Sequence, residues 1–191
     1  FNLDADADTP IVGMVTRLTD QKGLDLIEQA MERFMDRRMQ FVMLGTGERR
    51  YEQLFSWACW RWPGRVGCWL EHNPPMANRV YAGSDMFLMP SQFEPCGLAQ
   101  LIALRYGSVP IVRETGGLKD SIAPYNKFTD EGLGFTFTFY DAGDMLGALD
   151  RALETFFDYP ASWQILQTRG MRAHFTWDKS ARQYMDLYRS L

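Results

Sequence analysis

Two cations five residues apart, Arg17 and Lys22, stand in the polar stretch Thr16-Arg17-Leu18-Thr19-Asp20-Gln21-Lys22-Gly23. So spaced on a loop, they can grip a diphosphate from two sides, each charge-assisted hydrogen bond contributing about 1.5–3 kcal/mol. A solvated loop leading into a helix is the plainer alternative. A second stretch, Pro90-Ser91-Gln92-Phe93-Glu94-Pro95-Cys96-Gly97-Leu98, offers the Glu94 carboxylate beside a turn shaped by Pro95 and Gly97. A carboxylate that accepts and backbone amides that donate are the two halves of a sugar-hydroxyl site; Glu94 serves equally well as a cap for the helix that follows. A third, Arg113-Glu114-Thr115-Gly116-Gly117-Leu118, sets two glycines at a helix start, where an anion can approach free amides and the positive end of the helix dipole. Gly45-Thr46-Gly47 invites a dinucleotide reading, but Arg50 stands where the third glycine of that fingerprint belongs, so tight-turn geometry is preferred. Cys96 as a nucleophile needs an activating partner. His72 and His174 lie in unrelated contexts, so Cys96 is read as a small packing residue whose backbone matters. His72, before Asn73-Pro74-Pro75, either borders a base or is an ordinary loop residue. Trp57, Trp60, Trp62 and Trp69 are read as packing groups rather than as a sugar platform.

These loops need elements to position them. Apolar runs predict strands at Ile11 to Val15, Phe41 to Leu44, Val66 to Leu70, Met86 to Met89 and Val109 to Val112, with a sixth, or a loop holding a strand, from Gly132 to Phe139. Helical spacing of apolar residues predicts helices from Leu24 to Arg38, Glu48 to Trp60, Pro75 to Ala82, Leu98 to Tyr106, Met145 to Phe157 and Trp177 to Leu191. Continuous apolar strands alternating with amphipathic helices specify an α/β, doubly wound domain around a mainly parallel six-stranded sheet. Ligands of such sheets bind beyond the carboxyl ends of the strands, and the chemistry-bearing loops all follow strands.

The 191 residues suit one domain, and 46% hydrophobic with 23% charged residues is the balance of a globular chain rather than a disordered one. Twenty basic against 24 acidic side chains leave a net charge of −4, which argues against nucleic acid as the main partner. The longest unbroken apolar runs, such as Phe41 to Leu44, are far too short to span a membrane. Cys59, Cys68 and Cys96, odd in number and widely spaced, read as reduced thiols of a cytoplasmic protein. Two histidines are too few for most metal sites, and neither metal nor cofactor is expected. Phe1 in place of methionine, followed by the acidic Asp4 to Asp8 segment, suggests a fragment cut just before a domain begins.

The ordered set Glu94-Pro95-Cys96-Gly97-Leu98-Ala99-Gln100-Leu101, Ala103-Leu104-Arg105-Tyr106-Gly107 and Thr115-Gly116-Gly117-Leu118 resembles the signature of bacterial glycogen synthases and plant starch synthases, glycosyltransferase family 5. Arg17 to Gly23 is similar to that family's first loop, and the similarity runs through Trp177 and the last helix. The resemblance implies the GT-B arrangement, two Rossmann-like domains facing across a cleft, with this chain as the C-terminal, donor-nucleotide half. Residues from about 160 to 191 would be a helical segment packing back toward the missing N-terminal domain. The implied reaction is transfer of glucose from a nucleotide diphosphate glucose, ADP-glucose in preference to UDP-glucose, to the non-reducing end of an α-1,4-glucan, with retention and without a metal; the piece by itself is expected to be inactive.

Carried over by resemblance, Arg17 and Lys22 sit on the donor's distal phosphate. Glu94 meets glucose hydroxyls together with the amides of Cys96 and Gly97, next to Leu98. Thr115, Gly116 and Gly117 lie near the phosphates. Related families place a second glutamate eight residues after the first to hold the ribose; here that position is Ile102. Two competing readings are a non-catalytic module that binds nucleotide sugar or glucan, and an NAD-dependent dehydrogenase domain. The second is disfavoured, because the glycine fingerprint and its downstream acid are missing after the first strand.

Overall fold

Phe41, Val42, Met43 and Leu44 have no polar alternation, and the strand they form, β2 (Gln40–Leu44), is buried on both faces along its whole length. The computed structural model describes residues 1–191, the side chain of Lys179 excepted. Flanking β2 are β1 (Ile11–Val15) and β3 (Val66–Trp69); β4 (Met86–Met89), β5 (Val109–Arg113) and β6 (Phe135–Phe137) complete the sheet. All neighbours pair in parallel, in the order β3-β2-β1-β4-β5-β6. This is the doubly wound order, in which the chain moves outward in opposite directions from β1 and β4.

The helices are α1 (Leu24–Met35), α2 (Arg49–Arg61), α3 (Pro74–Gly83), α4 (Ala99–Tyr106), α5 (Gly116–Ser121), α6 (Ala142–Asp158), α7 (Pro160–Arg172) and α8 (Trp177–Ser190). Strand alternation divides the core between two layers. Met86 and Leu88 of β4 join Phe34, Phe55 and Leu149 from α1, α2 and α6 on one face. Phe87 and Met89 join Tyr81, Leu104 and Leu118 from α3, α4 and α5 on the other. Phe41, fully buried, packs edge-on against Phe34 at 5.1 Å and tilted against Phe55 at 6.1 Å. Phe41→Ala is expected to cost about 3–5 kcal/mol of stability, since three rings meet there and the cavity cannot collapse. Denaturant unfolding checks it; a loss below 1 kcal/mol would contradict this packing.

Local capping explains where elements depart from their apolar pattern. α1 stops at Met35 rather than continuing to Arg38, because the Arg65 guanidinium donates to the carbonyls of Met35 at 2.7 Å and Arg37 at 2.5 Å and closes the helix end. α6 starts at Ala142, three residues early, because the Asp141 carboxylate accepts from the amides of Gly143 and Asp144. Of the two readings of Gly132 to Phe139, the loop holding a strand is the one formed, and its strand, β6, is three residues long. The Thr138 and Phe139 amides donate to Asp144 Oδ2 at 3.1 and 2.8 Å instead of to a strand. At the other end Gly132 turns with a φ of 108°. Of the segment from about residue 160 onward, α7 belongs to this domain: Trp163 stacks with Phe135 and meets Phe156, and Gly170 lies against Leu104. α8 instead keeps its described side chains largely exposed, among them Trp177, Tyr184 and Tyr188.

Candidate functional site

Because β1 and β4 are neighbours whose crossovers run opposite ways, the loops that follow them, residues 16–23 and 90–98, open a crevice between them. Those two loops carry Arg17, Lys22 and Glu94. Backbone contacts lock them together. The Gln92 amide donates to the Gln21 carbonyl at 2.9 Å, and Gln21 Nε2 donates to the Phe93 carbonyl at 3.1 Å. Gly23 makes this approach possible: its φ is 72°, and a Cβ there would lie 2.0 Å from the Pro90 carbonyl oxygen.

At the contact, Lys22 Nζ donates to Glu94 Oε2 at 2.6 Å, and the buried Ser91 hydroxyl donates to the same oxygen at 3.2 Å. The two charged side chains are 16% and 11% exposed, so water screens them little. Lys22 is therefore engaged with a carboxylate, whereas Arg17 is exposed. Arg17 lines a cleft of about 410 Å³ with His72, Asn73, Tyr81 and Ile102. His72 thus borders the cleft, and so does the apolar Ile102. The Tyr81 hydroxyl is pushed up to about 12 by burial, so it stays a neutral donor.

The third loop joins from β5. The Gly117 amide donates to the Glu94 carbonyl at 3.0 Å and to the Pro95 carbonyl at 3.2 Å. That amide is spent on the Glu94 loop, so it is not the free anion donor that the glycine pair suggested. Both glycines are needed for the approach: a Cβ at Gly116 would lie 2.2 Å from the Glu94 carbonyl oxygen, and one at Gly117 1.9 Å from that of Cys96. The Thr115 carbonyl accepts from Leu118 and starts α5. Gln100 Nε2 donates to the carbonyls of Cys96 and Gly97 at 3.1 and 2.9 Å, fixing the turn while leaving Cys96 and Leu98 exposed. No hydrogen bond reaches the Cys96 thiol among the described residues, so nothing there activates a nucleophile. Gly45 and Gly47 serve the neighbouring turn. Their added Cβ atoms would strike the carbonyls of Thr16 and Leu18, and the Gly47 amide is capped by Glu52 at 3.1 Å.

Three supporting residues escaped the sequence reading. Ser91 lies inside a stretch singled out for Glu94, yet nothing local shows that its hydroxyl turns toward the carboxylate. Arg113 Nη1 donates to the Gln92 carbonyl at 2.8 Å, and its guanidinium lies 5.4 Å from the Tyr140 ring centre. The Tyr140 hydroxyl donates in turn to Asp25 on α1. Burial and then the Asp25 acceptor push the Tyr140 hydroxyl well above its ordinary range, so it remains a donor at neutral pH. This chain of contacts ties the Glu94 loop to the helix that follows the Lys22 loop. Among the described residues no group of three or more His, Cys, Asp or Glu side chains is placed to hold a metal, and no helix is long and apolar enough to cross a membrane.

Comparison with known proteins shows which family the chain belongs to. The chain is 50% identical over all 191 residues to the glycogen synthase of Geobacillus thermodenitrificans and 49% identical to that of Bacillus cereus strain B4264, spanning 39% and 40% of their lengths. It therefore spans about two fifths of the curated relatives it matches. Among solved structures, the catalytic domain of starch synthase IV from Arabidopsis thaliana, bound to ADP and acarbose, superposes with a TM-score of 0.88 at 37% identity over 99% of this chain and 40% of that one. Sucrose-phosphate synthase from Thermosynechococcus elongatus, at 24% identity and a TM-score of 0.72 over 97% of this chain and 46% of that one, shares the fold. The family model described as glycosyl transferases group 1 matches residues 1–156, which hold all six strands and the three loops that meet at the crevice, and the chain belongs to that family.

Proposed function

We propose that this chain forms the donor-binding half of a retaining glucosyltransferase, which takes glucose from ADP-glucose and adds it to an α-1,4-glucan. The observation that carries the proposal is the little-exposed Lys22–Glu94 pair at the β1–β4 crevice, with Arg17 of the same loop lining a neighbouring cleft. A cation at that place stabilises charge on a departing diphosphate without a metal. Arg17 and Lys22 take that role. Glu94 accepts from glucose hydroxyls while the Cys96 and Gly97 amides donate to them. His72 borders the base, and Thr115, Gly116 and Gly117 form the wall nearest the phosphates. The starch synthase relative whose structure holds ADP supports this use of the same fold. Three free thiols support a cytoplasmic setting. The exposed aromatic side of α8, with Trp177, Tyr184 and Tyr188, supports the reading that it packs on the acceptor-side domain of such an enzyme.

Titration calorimetry at low salt tests the proposal. ADP is expected to bind this chain saturably and NAD is not. Saturable NAD binding without ADP binding would overturn it in favour of a dehydrogenase.

A further inference from the structure

Lys22 and Glu94 are 72 residues apart in sequence, yet their charged ends meet at 2.6 Å with little exposure to water. The backbone on both sides is held, because Gln21 is bonded to Gln92 and Phe93 and the Glu94 carbonyl is bonded to Gly117. Under the function proposed above, both partners of this ion pair serve one ligand, the ammonium at the diphosphate and the carboxylate at the sugar. Glu94 Oε2 is shared by Lys22 and Ser91, whereas no hydrogen bond to Oε1 is present among the described residues.

Resting on the reading of this crevice as a nucleotide-sugar site, we infer that Glu94 sets selectivity between a nucleoside diphosphate carrying a hexose and the bare nucleoside diphosphate, by competing with the phosphates for Lys22. The reason is charge. A bare diphosphate beside Lys22 meets the Glu94 carboxylate as a second anion, which holds a share of the same cation and repels the newcomer. When a hexose is attached, its hydroxyl protons donate to Glu94 Oε1 and compensate the carboxylate, so Lys22 can turn to the phosphate. Once the hexose has been transferred, Glu94 loses those donors and reclaims Lys22, which promotes departure of the spent diphosphate. No bond to the protein forms or breaks; the ion pair only changes partners.

The experiment measures ADP and ADP-glucose affinities of the parent chain, Glu94→Gln, Lys22→Ala and the double variant by calorimetry, with circular dichroism as a check on folding. Glu94→Gln keeps the size of the side chain and removes the charge. It is expected to bind ADP about three- to tenfold tighter, between the scale of a surface ion pair and that of a charge-assisted bond in a dry site. Its preference for ADP-glucose over ADP should fall by at least the same factor, whereas damage to the loop alone would weaken both ligands together. The gain in ADP affinity should shrink in the Lys22→Ala background, because no cation is left to release. Glu94→Asp, which withdraws the charge by one methylene, is the second variant and should give a smaller gain. Unchanged or weaker ADP binding by Glu94→Gln and Glu94→Asp, in a parent chain that does bind ADP, overturns the inference alone. So does an equal gain with and without Lys22. A parent chain that binds neither nucleotide overturns the nucleotide-sugar reading and this inference with it.

Discussion

Arg17→Ala, introduced into an active transferase carrying this chain, is expected to lower kcat by about 10²–10³ while leaving the fold intact, the range found when one preorganised donor to a developing anion is removed. Arg17 is exposed and lines the cleft, so its loss opens no cavity. In the proposed role, its value lies in the transition state. As the bond to the departing diphosphate lengthens, negative charge gathers on the phosphate oxygen, and a cation aimed there gains more than it does with bound substrate. Turnover should therefore fall along with binding. Lys22→Ala is expected to lower kcat over the same range and to cost stability as well, because it leaves the Glu94 carboxylate 11% exposed with only the Ser91 hydroxyl as a side-chain partner. Steady-state kinetics separates the two cases. Near-normal kcat in Arg17→Ala would remove that side chain from the mechanism and leave it a solvated loop charge.

Gly117→Ala is expected to disrupt the crevice as a whole. The added methyl would lie 1.9 Å from the Cys96 carbonyl oxygen and 2.4 Å from its carbon, and both are backbone atoms that cannot step aside as a flexible side chain would. Either α5 or the Glu94 loop has to move, which breaks the bond from the Gly117 amide to the Glu94 carbonyl. Overpacking of this kind costs about 1–3 kcal/mol, and two opposed backbones place this position at the upper end. ADP affinity should fall with stability. Gly83→Ala is the control: at the end of α3, with no atom within 4 Å of its added methyl, it should be neutral or stabilising by about 0.5–1 kcal/mol. Thermal unfolding of the two variants side by side measures the contrast. A Gly117→Ala chain as stable as the parent would mean that α5 and the Glu94 loop do not pack this closely.

Five strands stand within a residue of where their apolar runs put them, because a strand buried on both faces needs an unbroken apolar run, and a run such as Met86 to Met89 has few other uses. Between a full strand and a loop holding one, the stretch from Gly132 to Phe139 is decided for a reason of equal physical weight: a single side chain, Asp144, takes the Thr138 and Phe139 amides. Nothing in the composition of that stretch reports an acceptor supplied from the following helix. Gly116 and Gly117 teach the same lesson about sites. A glycine pair at a helix start fits an anion outside the protein and a neighbouring loop inside it equally well, and the residues alone do not say which.

By itself, then, the sequence determined that strands alternate with helices and that Arg17, Lys22 and Glu94 ride on loops leaving the carboxyl ends of strands. Apolar periodicity and turn chemistry act over a few residues and are legible there. The resemblance of those loops to a known family added roles that spacing alone could not assign. Only the tertiary structure decided that Lys22 meets Glu94 while Arg17 is left exposed on the cleft, that Ser91 shares the Glu94 carboxylate, and that the Gly117 amide serves the Glu94 loop. Each of these contacts requires β4 to lie between β1 and β5. That order is chosen by packing across two layers, between residues as far as 72 positions apart, a distance over which no local pattern carries information.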